Sequence, residues 1–118
     1  MSDKDNYSIR PWGHYIKLLE EPGVWVKRVE VNPSARLSLQ KHGQRSEKWV
    51  FVKGTGLAIV NDDEIPVIQG SVVDVPLGAL HRIANTGQDM LVFIEVACGS
   101  SLSEEDIIRL QDDYDRLS

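Results

Sequence analysis

Apolar and polar residues alternate with a period of two through much of this chain. Trp25, Lys27, Val29 and Val31 alternate with Val24, Val26, Arg28 and Glu30. That pattern describes a strand with two unlike faces. Further strand-length segments follow at Arg36–Gln40, Glu47–Lys53, Leu57–Val60, Glu64–Ile68, Ser71–Val75, His81–Ala84 and Leu91–Ala97. Between them lie turn residues: Asn32-Pro-Ser34, Gly54-Thr-Gly56, Asn61-Asp-Asp63, Gln69-Gly70, Pro76-Leu-Gly78 and Asn85-Thr-Gly87. Short strands punctuated in this way, with no helical stretch between them, predict an all-β antiparallel sandwich or barrel.

The two ends read differently. Residues 1–10 are polar and are expected to form a flexible arm, and Arg10-Pro-Trp-Gly13 reads as a turn or docking segment. Ser103-Glu-Glu-Asp106 has the form of a capping box, and Ile107, Ile108, Leu110 and Tyr114 recur at helical spacing. A short C-terminal helix over 103–113 is the expectation.

Composition narrows the classes. The 118 residues suit one domain, 42% are apolar and 26% charged, and 13 Lys plus Arg against 18 Asp plus Glu leave a net charge of −5. An acidic balance has no electrostatic footprint for nucleic acid or for an anionic membrane. The apolar runs are strand-sized, and the first residues lack the apolar core of a signal peptide, so a cytoplasmic location is expected. Cys98 is the only cysteine, which excludes an internal disulfide.

Two bends carry the chemistry. The first places Gln40, His42 and Glu47 around a polar turn, and the second places His81 after Pro76-Leu-Gly78. By strand parity Arg36, Ser38, Gln40 and His42 share a face, and so do Glu47, Trp49 and Phe51. If the hairpin brings these faces to one interior wall, Gln40, His42 and Glu47 form a half-site that His81 completes. Imidazole, carboxylate and amide oxygen together suit one divalent transition metal such as Zn, Mn, Co, Ni or Fe.

The spacings of Gln40, His42, Glu47 and Gly54, and of Gly70, Pro76, Gly78, His81 and Asn85, resemble the two motifs of the cupin superfamily. Ser34 and Gln40 depart from the usual Gly and His. The segments Arg10-Pro-Trp-Gly13, Arg36-Leu-Ser-Leu-Gln40, Glu47-Lys-Trp49, Gly54-Thr55, His81-Arg82, Ile94-Glu-Val96 and Glu105-Asp-Ile-Ile-Arg109 are similar, in order, to the cupin domain of type II mannose-6-phosphate isomerases. That family also carries Gln at position 40. It typically reads His-His-His-Arg at 42–45 and Glu-His-Trp at 47–49, where this chain has His42-Gly-Gln-Arg45 and Glu47-Lys-Trp49.

The resemblance implies a single cupin domain over 1–118, a small jelly-roll β-barrel. It is expected to be free-standing, although the family often forms the C-terminal part of bifunctional enzymes with mannose-1-phosphate guanylyltransferase. It implies a metal-dependent isomerase acting between mannose 6-phosphate and fructose 6-phosphate, in GDP-mannose and polysaccharide supply, and a homodimer.

Aldose–ketose isomerisation needs a base, a stabiliser for the enediolate and a phosphate clamp. Glu95, an acid in the apolar run Leu91–Ala97, is the candidate base. Lys48 is a second candidate, although parity places it opposite Glu47. Arg36, Arg45 and Arg82 are the candidate phosphate partners, because Arg forks onto phosphate. Trp49 and Phe51 are candidate pocket walls. Two further readings stand beside this one: a non-haem Fe(II) cupin dioxygenase, since two His and one Glu match its facial triad, and a non-enzymatic sugar-phosphate-binding cupin.

Overall fold

The computed structural model describes residues 7–114, and among these there is no α-helix. Eleven strands run in order: β1 Tyr7–Arg10, β2 Gly13–Glu21, β3 Val24–Val31, β4 Leu39–Lys41, β5 Arg45–Lys53, β6 Gly56–Val60, β7 Asp63–Val67, β8 Val72–Val75, β9 His81–Asn85, β10 Leu91–Gly99 and β11 Ile108–Gln111. They form two antiparallel sheets, one in the order β1-β2-β3-β10-β5-β8 and the other β11-β4-β9-β6-β7. The faces that meet enclose a core of Trp12, Tyr15, Val29, Val31, Phe51, Ala58, Val67, Val73, Ile83, Leu91 and Phe93.

Cross-strand rows explain why the site lies at one end. On the inner face of the larger sheet, Tyr15, Val29, Phe93 and Phe51 are registered neighbours across β2, β3, β10 and β5. The next row on that face is Lys17, Lys27, Glu95 and Trp49, and the one beyond holds Trp25, Ala97 and Glu47. The face thus passes from an aromatic floor to ionisable groups within four residues of strand, without losing its burial: Lys27, Glu95 and Glu47 are each 9% exposed or less.

The punctuation behaves as the turn chemistry requires. Gly54 sits at φ +90°, and a Cβ there would meet the Met90 carbonyl at 2.7 Å, so both backbone freedom and the close approach of β10 demand glycine. The β6–β7 turn is two residues long, with Asn61 at φ 54°, a conformation that Asn tolerates.

Two expectations are corrected, and one strand was not expected at all. Of the arm, residues 1–6 lie outside the described residues, while Tyr7–Arg10 form β1 and pair with β2. Strand β2 itself is not evident in the sequence pattern. A bulge between Lys17 and Leu19 interrupts its alternation and turns Leu18 out to solvent at 56% exposure.

The C-terminal helix over 103–113 is also absent. Ser103 Oγ accepts from Glu105 N as a local turn, and the Asp106 carboxylate accepts from Gly43 N and Gln44 N, both at 2.8 Å, rather than capping its own segment. Residues Ile108–Gln111 then add to the edge of β4, Ile108 opposite Lys41 and Arg109 opposite Gln40. A helix this short is marginal alone, whereas β4 offers an unpaired edge whose N–H and C=O groups need partners.

Candidate metal centre and its pocket

His42, Glu47 and His81 converge. One potential ligand atom from each lies within 4.8 Å of the others, and all three residues are buried. Two backbone connections bring the motifs together: Gly78 N donates to the His42 carbonyl (3.1 Å), and Gln40 of β4 is registered opposite His81 of β9.

The histidines are held by their Nδ1 atoms. His42 Nδ1 lies 2.5 Å from the Asp106 carbonyl, and His81 Nδ1 lies 3.0 Å from the Ala79 carbonyl. A carbonyl oxygen only accepts, so each Nδ1 carries a proton and Nε2 is the nitrogen open to a ligand. This second-partner arrangement fixes ring orientation in metal sites. Burial lowers the His81 pKa, with the Glu47 charge opposing only in part. His81 is therefore neutral at physiological pH, the form that ligates.

Glu47 is ionised. Burial pushes its carboxyl up, but the His42, His81 and Arg45 side chains gathered around it outweigh burial and hold it well below the ordinary carboxylate range. Its Oε1 accepts from Trp49 Nε1 (2.8 Å) and its Oε2 from Arg45 Nε (2.9 Å). His42 Nε2 stands 3.2 Å from the same Oε2. Two lone pairs at that distance repel unless an electropositive group lies against both. Arg45 meets that need, since its Nη2 donates to His42 Nε2 at 3.0 Å. Two oriented imidazole nitrogens and one carboxylate fit a divalent first-row cation, which would take over the lone pairs that Arg45 now satisfies.

The site opens into a pocket of about 110 Å³ whose lining includes Gln40, His42, Arg45, Glu47, Trp49, His81, Arg82 and Glu95. Gln40 donates through Nε2 to Ser38 Oγ (3.0 Å). Glu95 accepts from Trp25 Nε1 (3.0 Å), and its carboxyl is pushed up to about 8, first by burial and then by the neighbouring Glu47 charge. Arg82 lines the pocket but is anchored through Nε to the Leu37 carbonyl (2.8 Å).

Other sequence candidates lie elsewhere. Lys48 stands on the outer face of β5, 59% exposed and 3.4 Å from Asp74, because alternate residues of a strand point to opposite sides. That placement removes it as a base for this pocket. Arg36 is 45% exposed and pairs with Asp113 at 2.7 Å outside the pocket. Phe51 belongs to the aromatic floor, 5.0 Å from Phe93 between ring centres, below Trp49. Arg45 is among the metal-capable groups themselves rather than at the mouth.

Sequence reasoning passed over Lys27 and Arg10, which also line the pocket, and over the C-terminal segment, which contributes Glu104, Ile107 and Arg109. For Lys27 a signal was present: it is the one charged residue on the Trp25, Val29 and Val31 face of β3.

Comparison with known proteins agrees with this geometry. The family described as mannose-6-phosphate isomerase C-terminal matches residues 2–112. The mannose-1-phosphate guanylyltransferase of Sinorhizobium fredii is 41% identical over 105 residues, covering 89% of this chain and 20% of the relative. The alginate biosynthesis protein AlgA of Pseudomonas aeruginosa is 41% identical over 109 residues, covering 92% of this chain and 23% of the relative. The chain thus spans between a fifth and a quarter of the length of these relatives. Among solved structures, the capsular polysaccharide assembling protein CapF from Staphylococcus aureus superposes with a TM-score of 0.78 at 23% identity, over 89% of this chain and 34% of that one. The cupin domain of Schizosaccharomyces pombe Cnp3 gives 0.70 at 18% identity, over 73% and 64%. These two share the fold. The chain belongs to the mannose-6-phosphate isomerase C-terminal family and has the cupin fold.

Proposed function

We propose, from membership of the mannose-6-phosphate isomerase C-terminal family, that this chain is a metal-dependent sugar-phosphate isomerase acting between mannose 6-phosphate and fructose 6-phosphate. The observation that supports it is the convergence of His42, Glu47 and His81 in a pocket lined by basic side chains, beside a carboxyl that titrates near neutrality. Relatives named for alginate and xanthan biosynthesis support a role in polysaccharide supply.

His42, Glu47 and His81 would hold the ion, with Gln40 on the registered position beside His81. A bound divalent ion supplies a Lewis acid for the adjacent C1 and C2 oxygens of the open-chain sugar. The chain's own work is proton transfer and orientation. Glu95, in its ionised fraction, takes the proton from C2 of the aldose and returns it to C1, while the hydroxyl proton moves between O2 and O1. A carboxyl pushed up to about 8 exchanges protons in both directions. Trp25 Nε1 fixes the carboxyl, and Trp49 fixes Glu47.

One observation favours a second reading. Arg45 already satisfies His42 Nε2 and Glu47 Oε2, as a metal-free sugar-phosphate-binding domain would require. A coupled assay on mannose 6-phosphate separates the two. It uses metal-stripped protein reloaded in turn with Zn, Mn, Co, Ni and Fe, with His81→Ala as control. Turnover restored by one metal and lost in His81→Ala supports the isomerase. Binding of the sugar phosphate without turnover under any metal selects the binding domain.

A further inference from the structure

Lys27 is 4% exposed, yet its ammonium does not lie in the apolar core. It packs 4.1 Å from the centre of the Trp25 ring and 4.2 Å from that of Tyr15. Two flanking aromatic faces stabilise a desolvated cation, so the charge is built in rather than incidental. Its hydrogen-bond partner is Glu104 of the C-terminal segment, with Nζ 3.0 Å from Oε1 and 2.8 Å from Oε2. Glu104 is the more exposed side of this pair: it is 42% exposed, and it arrives from a turn segment rather than from a sheet interior.

Other cations gather around the same point. Lys17 Nζ is 3.8 Å from Glu104 Oε2, while also paired with Glu20 at 3.1 Å, and lies 4.7 Å from the centre of the Trp25 ring. Arg10 also lies over Tyr15, at 5.2 Å from the ring centre, and donates to its hydroxyl at 3.2 Å. Among the described residues lining the pocket, five are basic and three acidic, although the chain as a whole carries 13 basic and 18 acidic side chains. An acidic protein that concentrates cations in one pocket is shaped for an anion.

We propose that Lys27, flanked by Lys17 and Arg10, is a subsite for the phosphate group of a phosphorylated sugar, and that the Glu104 carboxylate occupies it when no substrate is bound. A phosphate monoester carries a charge between about −1.5 and −2 and three strong acceptor oxygens. Lys27 offers three N–H donors, more than one carboxylate can use well in that space. The pocket, at about 110 Å³, is well below the roughly 300–1,000 Å³ typical of small-molecule sites. Displacing Glu104 would enlarge it, because Glu104 and Ile107 form part of its wall. Entry of the phosphate and withdrawal of the Glu104 side chain are then one event. The choice of phosphate rests on the sugar-phosphate reading above.

The test is an NMR titration of metal-free protein with inorganic phosphate and, separately, with mannose 6-phosphate. It compares wild type with Glu104→Gln, Lys27→Gln and Lys27→Arg. Removal of the competing carboxylate in Glu104→Gln should tighten both ligands about tenfold or more, equivalent to about 1.4 kcal/mol. Lys27→Gln should lose saturable binding, and Lys27→Arg should retain it. Glu104→Gln binding no more tightly than wild type would overturn the proposal, as would phosphate binding unchanged in Lys27→Gln. If Lys27→Gln does not fold, as judged by circular dichroism, the Glu104→Gln titration decides alone. Neither metal nor turnover enters the readout. An inactive protein that binds phosphate in this pattern refutes the isomerase and leaves the subsite standing.

Discussion

Lys27 and Glu95 stand directly opposite one another on β3 and β10, yet each is turned to a different partner. The ammonium goes to Glu104 of the C-terminal segment, and the carboxyl accepts from Trp25 Nε1. Opposite charges in register would ordinarily pair. Here burial and the Glu47 charge keep Glu95 largely protonated, and that leaves Lys27 available to a ligand.

Glu95 should make stability fall with rising pH. Its carboxyl is raised from an ordinary value of 4.5 to about 8, by burial first and the Glu47 charge second. Between those values the folded protein binds more protons than the unfolded chain, so stability decreases as pH rises, by at most about 1.4 kcal/mol per pH unit. Glu47 runs the other way: its depressed carboxyl contributes stability above its unfolded pKa that is lost on acidification below it. Urea denaturation of metal-free protein between pH 7 and 8.5, above the range in which the lowered His81 pKa acts in the opposite sense, should show the fall in wild type and a flatter profile in Glu95→Gln. Identical slopes would show that Glu95 is ionised in the fold.

Arg45 should compete with metal. The guanidinium neutralises Glu47 and occupies the His42 lone pair. Arg45→Gln leaves a buried carboxylate uncompensated and should cost metal-free protein about 3–5 kcal/mol. A divalent ion that binds only the folded state recovers stability in proportion to its affinity. Zn or Co should therefore raise the melting temperature more in Arg45→Gln than in wild type, and not at all in His81→Ala. Equal shifts in wild type and Arg45→Gln would rule out competition.

Asp106 should hold the first motif loop closed. Its two carboxylate oxygens accept from Gly43 N and Gln44 N, and its own carbonyl orients His42. Burial pushes this carboxyl up, but the two backbone N–H bonds together outweigh it and lower it, so its contribution persists above its ordinary pKa and fades as pH falls through the lowered value. Asp106→Asn keeps one acceptor oxygen and should lose about 1 kcal/mol, with faster amide exchange at Gly43 and Gln44 by mass spectrometry or NMR. Unchanged exchange at both amides would mean that the loop holds itself.

How much of this was legible depends on the range of the interaction involved. Alternation in β3, β5 and β10 and the turn residues between strands are local, and the structure has those strands where the pattern places them. Convergence of His42, Glu47 and His81 was foreseeable because two separated motif spacings each end at a bend. Parity also put Trp49 on the Glu47 face and Lys48 on the other. Strand β2 escaped notice because its bulge breaks the period that alternation relies on.

The amino-acid sequence by itself determined an all-β chain, the positions of most turns and the side of each strand on which a group would lie, because these follow from backbone sterics and side-chain period over a few residues. Tertiary structure alone decided that residues 108–111 form a strand on the open edge of β4 rather than a helix. It also decided that Arg45 reaches the metal-capable groups and that Lys27 is buried between two aromatic rings under Glu104. The pairing of residues 108–111 with β4 and the Lys27–Glu104 contact join groups 67 to 77 residues apart, and at such separations only packing, desolvation and the need to satisfy buried charge select which groups meet.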